Sequence, residues 1–476
     1  MIDSSKYTLD ADRQCPSWLR SAYDDLCGAV RGEPHTELIP VEDACMRVTA
    51  EDVKAPGPVP RVPYTLRRGY AVRAADTAGA SRAHPVELEK NCGGLRNFIE
   101  TGGDPAASAL ERGQCEYLPA GIPLPEDADA VLYTPPVETD EVTLPIESTL
   151  KVTAPVSKGD NARLAGQDYE RGATLVARGT RITPQIQAVL IAAGVFTVPV
   201  YRSPRVGVVL SSYDAVPPAN VEHAWQQPDS MSAYVRSMFA RWGYVMPSVE
   251  LLTPLPPTDS PNTAHDAQEV YRDRLLDLMS AYDLLIGVGM PVDGTMLGNG
   301  LGGPVSCFPH GQERVHFDNT KDRGFICGLG DDRTSPVLGK HPYYQPDSPN
   351  EIFRYDGFYI YDRAIVFNVP GQTPEVGAVM HLFIRRILDS MEYVAHPGPV
   401  WRRGTLASPL TRHGKEHRFI WGVARTDEKG RVVIEARDDQ NSQSLRSFAV
   451  SNVLVAIRSG ADSLAAGECV DYLLLE

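Results

Sequence analysis

The chain has no run of about 18 apolar residues, so no helical membrane span is expected. Its first residues, MIDSSKYTLDADRQ, lack the apolar core of a secretory leader. The eight cysteines (15, 27, 45, 92, 115, 307, 327 and 469) form no C-x-x-C pair. That spacing fits neither a zinc knuckle nor a disulfide framework and favours reduced thiols in a cytoplasmic protein. Basic charge is also short: Lys+Arg are 46 against 61 Asp+Glu, which gives 46 − 61 = −15. Such a chain lacks the field of a general nucleic-acid binder, so any anionic ligand needs a local basic or backbone N–H site. G-x-x-x-x-G-K-S/T and G-x-S-x-G are both missing, and Gly287-Val-Gly289 is only a fragment of a dinucleotide fingerprint. His310, His316 and Asp318 have no common metal-ligand spacing and read as surface residues, so no metal site is expected.

What the chain has in quantity is proline (39) and glycine (40) within 476 residues, enough for about three domains rich in loops and strand ends. Trp18, Leu19, Tyr23, Leu26 and Val30 recur at helical spacing, and a second short helix is expected over 41–53. Residues 55–63 (APGPVPRVP) cannot be helix interior. Strand-like runs follow at 70–72, 115–118, 130–133 and 141–144, with 79–111 a weakly constrained insertion among them. Residues 183–194 form a helix with Thr183 as cap, Pro184 in the first turn and Gly194 at the left-handed end position.

Strand and helix then alternate. Strands are expected at 205–210, 248–252, 282–286 and 363–368, and helices at 232–242, 267–279 and 375–391. This is an open parallel α/β sheet, whose ligands sit outside the carboxyl ends of the strands. Runs at 419–424, 432–435, 453–457 and 470–475 make a small C-terminal β domain. The loops at the sheet ends carry Ser211, Ser212 and Asp214, then Gly287 and Gly289, then Pro370 and Gly371. Glycines there let a ligand approach the backbone, and following helices offer free N–H groups to phosphate. Asp214 is either a turn cap or a polar group aimed into the ligand crevice.

At these loops the chain resembles the molybdopterin molybdenumtransferase (molybdenum insertase) family, which includes the C-terminal part of gephyrin. Residues 69–77 (GYAVRAADT) resemble the family's D-G-Y-A-V-R segment. Residues 121–131 (GIPLPEDADAV) resemble T-G-A-P-L-P-x-G-A-D-A-V, and 158–168 (KGDNARLAGQD) resemble G-x-N-x-R-x-x-G-E-D. Residues 204–214 (PRVGVVLSSYD) resemble R-P-R-V-A-V-L-S-T-G-D. Asp229-Ser230-Met resembles D-S-N, and Val369-Pro370-Gly371 resembles the L-P-G-N-P loop.

The resemblance implies a multidomain α/β plus β fold: 1–60 with 160–202 as a helical and extended domain, 61–159 as an inserted small β domain, 203–395 as the open parallel pterin-binding domain and 396–476 as a β barrel. It implies a homodimer with the active site at the subunit interface. The reaction cleaves adenylylated molybdopterin and inserts molybdenum from molybdate, or tungsten from tungstate, with a molybdoenzyme as possible acceptor. Asp214 is the implied catalytic group. The implied ligand contacts are Ser211, Ser212, Asp229, Ser230, Gly287, Gly289, Pro370, Gly371, Arg68, Gln167 and Gly121.

The chain departs from the pattern where the family has S-A-M-D before G-Y-A: here stands Thr65-Leu-Arg-Arg68. The family's G-E-D is Gly166-Gln167-Asp168. Asp to Arg and Glu to Gln shift the local charge by about +3, which makes a Mg²⁺ role doubtful, because Mg²⁺ prefers carboxylate oxygens. Arg67 and Arg68 instead present donor forks suited to an oxyanion or phosphate. A non-catalytic pterin or oxyanion carrier on the same scaffold is the alternative.

Overall fold

The structure is a computed structural model. It describes residues 15–91, 102, 109–134, 148–211, 215–252, 274, 277–278, 281–288, 316–318, 325–328, 351–355, 358–361, 364–369, 373–411, 418–437, 444–458 and 463–475. The expected strand at 141–144 lies outside these residues, as does most of the expected helix at 267–279.

Helix α1 (Ser17–Val30) buries Leu19, Tyr23, Cys27 and Val30. Residues 41–53 depart from expectation. Only a single 3₁₀ turn forms, Val41–Asp43. Beyond it, Thr49 N–H donates to Thr180 O (3.0 Å) and Val48 bridges Arg181, so long-range partners take the backbone groups a helix would use. Thr36–Pro40 pairs antiparallel with Thr197–Tyr201, and helix α2 (Pro184–Ala192) lies between, with Thr183 Oγ1 accepting from Ile186 N–H.

The inserted β region is a five-stranded sheet of β1 (Gly69–Val72), β2 (Val86–Asn91), β3 (Gln114–Leu118), β4 (Ala130–Tyr133) and β5 (Thr149–Val152), in the order β4-β1-β3-β2-β5. Strand β2 falls inside the stretch expected to be a loose insertion. It is held by β3 on one side and β5 on the other, with Leu88 buried between polar neighbours.

The central sheet contains β6 (Val206–Ser211), β7 (Ser248–Leu252), β8 (Leu284–Val288), β9 (Glu351–Tyr355), β10 (Phe358–Tyr361) and β11 (Ala364–Val369), in the order β7-β6-β8-β11-β10-β9. The first four in that order are mutually parallel. The hairpin β9–β10 adds two antiparallel strands at one edge, so the sheet is mixed rather than purely parallel. Strand β7 follows β6 on one side and β8 lies on the other, which places the reversal of strand order between β6 and β8.

Helix α3 (Ser230–Arg241) buries Met231, Val235, Met238 and Phe239 against this sheet. Helix α4 runs in three consecutive pieces: α-helical Thr373–Val379, π-helical Met380–Ile384 and α-helical Arg385–Met391. It is buried almost throughout, with α1 packed along it. Tyr23 meets Phe383 edge-on at 5.9 Å, and the Cys27 thiol accepts from Arg386 Nε (3.2 Å) and Ser390 Oγ (3.0 Å).

The C-terminal part closes a five-stranded barrel from β12 (Trp401–Leu406), β13 (Arg418–Thr426), β14 (Val432–Ala436), β15 (Val453–Ile457) and β16 (Cys469–Leu474), with β15 pairing both β16 and β13. Trp401, Phe419, Trp421, Leu454 and Leu473 share one core with α1, α3, α4 and the central sheet. Strand 316–318 pairs with 325–328, which in turn joins β13, so His316 and Asp318 lie in a strand rather than a loop.

Candidate active site

At the carboxyl edge of the central sheet Ser211, Val288 and Val369 end β6, β8 and β11 side by side, because Leu210 pairs with Val288 and Val288 with Val369. Gly287 lies inside β8, flanked by Val209 and Asn368, rather than in the loop beyond it. The strand runs two residues further than its apolar run predicted because its neighbours keep pairing. Ser212, Asp214, Gly289, Pro370 and Gly371 lie outside the described residues.

The chain returns at Ala215, which pairs with Val216 against Gln227–Pro228 in a short parallel ribbon. This ribbon delivers Asp229 to the start of α3. Asp229 Oδ1 accepts from Ser232 N–H (2.9 Å), while Asp229 N–H donates to Val216 O (2.8 Å). The adjacent Ser230 hydroxyl shares a hydrogen bond of 2.7 Å with the Thr373 hydroxyl at the start of α4. Two helix N-termini therefore meet above the sheet edge. The first-turn N–H groups of a helix and its dipole favour an anion, and at α3 the Asp229 carboxylate already takes the Ser232 N–H. Thr373 was not singled out from the sequence, though Thr373-Pro-Glu375 is a helix-start signal.

A second group forms where the inserted β region joins the rest of the chain. Tyr64–Thr65 pairs with Ala162–Arg163. Thr65 N–H donates to Ile122 O (2.9 Å) and Gly121 N–H to Thr65 O (2.9 Å). The buried Thr65 hydroxyl donates to Pro119 O (2.7 Å). These bonds set the 119–122 turn, which carries Gly121, and strand 162–163 beside Tyr64–Thr65; Arg68 follows Thr65 and Gln167 follows Arg163 along the chain. Gly121 has φ +83°, a left-handed angle that glycine adopts without strain. Gln167 Oε1 accepts from Leu164 N–H (3.0 Å) and closes its own turn, and Asp168 pairs with Arg163. Arg68 is exposed, and Arg67 lies over the Tyr133 ring at 5.4 Å. Among the described residues, no hydrogen bond or ion pair joins this group to Asp229, Ser230 and Gly287.

The donor set near Arg68 does not fit Mg²⁺. Arg68 puts a cation where the ion would need an anionic oxygen, Gln167 Oε1 is engaged by Leu164 N–H, and among the described residues no three His, Cys, Asp or Glu side chains converge.

Residues 10–194 match the family model described as the MoeA N-terminal region (domain I and II), and residues 403–475 match the MoeA C-terminal region (domain IV). The molybdopterin molybdenumtransferase of Bacillus subtilis (strain 168) is 34% identical over 446 residues, covering 92% of this chain and 90% of that one.

This chain belongs to the MoeA family.

The molybdopterin molybdenumtransferase of Staphylococcus aureus (strain COL) is 22% identical and covers 92% of this chain and 91% of its own. The MoeA crystal structure from Pyrococcus horikoshii OT3 superposes with a TM-score of 0.63 at 20% identity, covering 96% of this chain and 98% of that one. The MoeA fold is thus kept across nearly the whole chain. Among the described residues no helix is long and apolar enough to cross a membrane.

Proposed function

We propose that this chain is a molybdopterin molybdenumtransferase of molybdenum cofactor biosynthesis. It takes adenylylated molybdopterin, releases AMP and places molybdenum from molybdate in the dithiolene. The observation that carries this reading is the 34% identity to the Bacillus subtilis enzyme over 92% of the chain. The paired helix N-termini beside Asp229, Ser230 and Thr373 support it, since they suit the phosphate of the adenylylated ligand.

The four-part division follows from the same reading: 1–60 with 160–202, then 61–159, 203–395 and 396–476. Asp214 is the polar catalytic group, with Ser211, Ser212, Gly287, Gly289, Pro370 and Gly371 on the pterin side. Within one chain, and among the described residues, no hydrogen bond or ion pair joins Arg68, Gly121 or Gln167 to the sheet edge. We therefore assign them to the facing subunit of a cytoplasmic homodimer, where Arg68 meets the oxyanion or phosphate. In this reading side chains rather than Mg²⁺ hold the oxyanion, and tungstate is a competing substrate.

The test is purified protein with adenylylated molybdopterin and molybdate, assayed for AMP and for active cofactor. AMP release that falls at least a hundredfold in Asp214→Ala is the expected result. Tight pterin binding without AMP above background, unchanged by Asp214→Ala, would replace catalysis with the carrier role. A mixture of Asp214→Ala and Arg68→Ala chains should regain part of the activity each lacks alone, because one site of the mixed dimer is intact.

A further inference from the structure

Residues 217–226 carry an aromatic pair that the chemistry above does not use. The segment leaves from Val216 and returns at Gln227, and these ends lie side by side in the parallel ribbon. One foot follows strand β6 and residue 214; the other leads to the Asp229 cap and Ser230. The excursion is therefore anchored at the carboxyl edge of the sheet by both ends.

It is stiffened within. Pro217 and Pro218 open it, and a 3₁₀ turn covers Pro218–Asn220. Gln226 Oε1 accepts from Glu222 N–H (2.7 Å) and His223 N–H (2.9 Å), and Gln226 N–H donates to His223 O (3.0 Å). These bonds hold the His223 and Trp225 rings with centroids 6.0 Å apart and planes at 13°.

Trp225 is 62% exposed, whereas Trp242, Trp401 and Trp421 are buried. An indole gains much from burial, and here a braced loop keeps one in water beside a ligand-binding edge.

We infer that His223 and Trp225 form a stacking wall for the planar heteroaromatic ring of the ligand, either the adenine or the pterin. The inference rests on the molybdopterin reading of the site. Phosphate at the helix N-termini and a ring on the indole face together fix the ligand's orientation. Base–aromatic stacking is sequence-tolerant and strong enough to matter at one residue.

The experiment is calorimetric titration of the full chain with AMP and, separately, with a free 6-substituted pterin. The proteins compared are unaltered, Trp225→Ala, Trp225→Phe and His223→Ala. Trp225→Ala should weaken one of the two ligands by about 5- to 150-fold, the range that alanine replacement of a stacking aromatic gives. The ligand that weakens identifies the ring. Trp225→Phe, which keeps a π face, should retain most of the affinity. In turnover, Trp225→Ala should raise KM with kcat little changed, and the melting temperature should stay put because the side chain is exposed.

Equal binding of both ligands by Trp225→Ala and unaltered protein would overturn the inference and leave the site reading standing. A changed oligomeric state with unchanged affinity would make the pair a subunit contact instead, also against the inference. Failure of unaltered protein to bind either ligand would remove the inference and the site reading together.

Discussion

Arg181 holds Asp389 and Glu392 through a single nitrogen, its Nη2 lying 2.7 Å from Asp389 Oδ1 and 2.9 Å from Glu392 Oε2. All three are largely buried, and the Tyr244 hydroxyl accepts from the same nitrogen at 2.9 Å. The far oxygens are also used. Asp389 Oδ2 accepts from Gly398 N–H (2.9 Å) and Arg385 Nε (3.2 Å), and Glu392 Oε1 accepts from the Ser203 hydroxyl (2.7 Å). Burial works against the charge on Arg181, but Tyr244, Asp389 and Glu392 outweigh it and hold the guanidinium above the ordinary arginine range. Burial and the two carboxylates push the Tyr244 phenol well up, so it stays neutral. The network joins the segment before α2, the end of α3, the end of α4 and the entry to the barrel.

Arg181→Ala is expected to cost about 3–5 kcal/mol, because two buried carboxylates lose the cation between them. Arg181→Lys recovers only part, since an ammonium can replace the single nitrogen between the acids but leaves Met46 O without its Nη1 donor. Urea unfolding of the three proteins measures this, and a loss below about 1 kcal/mol in Arg181→Ala would show the network to be dispensable.

A glycine makes the second joint. A Cβ built at Gly377 on α4 would come within 2.5 Å of the Phe448 ring. That ring packs edge-on to Tyr234 of α3 and to Trp421 of β13, each at 5.2 Å. Alanine in a helix interior gains about 1 kcal/mol over glycine, but displacing Phe448 costs about 1–3 kcal/mol. Gly377→Ala should therefore lower the melting temperature, and Phe448→Ala should make the same change neutral or stabilising. Equal effects in both backgrounds would mean the ring moves freely.

Much of this fold was legible because the signals are local. Strands β6, β8 and β11 are apolar runs, and α2 carries its own cap, proline and terminal glycine. The expected helix at 41–53 fails because its partners, Thr180 and Arg181, stand far along the chain. Strand β2, VELEKN, is polar enough to pass for a loop, and only its two neighbours make it a strand. In the site, the motifs singled out a crevice near Arg68, Gln167 and Asp214; the bonds of Thr65 and the 64–65 pairing tie the segments before Arg68 and Gln167 together, and residue 214 lies outside the described residues. Nothing in the sequence shows that the Gln167 oxygen is consumed by Leu164 N–H, or that Ser230 finds Thr373.

Gln167 also offers a direct test of the charge change. Glutamate there keeps an acceptor for Leu164 N–H, so the turn survives the substitution. Restoring both acids, Arg68→Asp with Gln167→Glu, moves the local charge by about −3 and supplies the oxygens Mg²⁺ prefers. AMP release measured against Mg²⁺ concentration should depend more steeply on the ion in the double variant than in unaltered protein. Identical curves would mean that neither position faces the metal.

His381 sits in the π-helical turn of α4, buried, with Trp242 edge-on at 6.0 Å. Burial, with the cations of Arg241 and Arg385 adding to it, lowers its pKa from 6.5 to about 4. The unfolded chain therefore binds a proton near pH 6.5 that the folded chain refuses until about pH 4. Stability from this residue is full above pH 6.5, declines as pH falls through that window and is level again below it. At 1.36 kcal/mol per unit the loss is at most about 3 kcal/mol. Carboxylates titrate over the same range, so the informative quantity is a difference. His381→Phe keeps an aromatic ring against Trp242 and removes the titration. Between pH 7 and pH 4 the unaltered protein should lose about 2–3 kcal/mol more than His381→Phe, measured by urea unfolding at each pH. Parallel pH profiles for the two proteins would mean that His381 takes up its proton in the folded state as readily as in the unfolded chain.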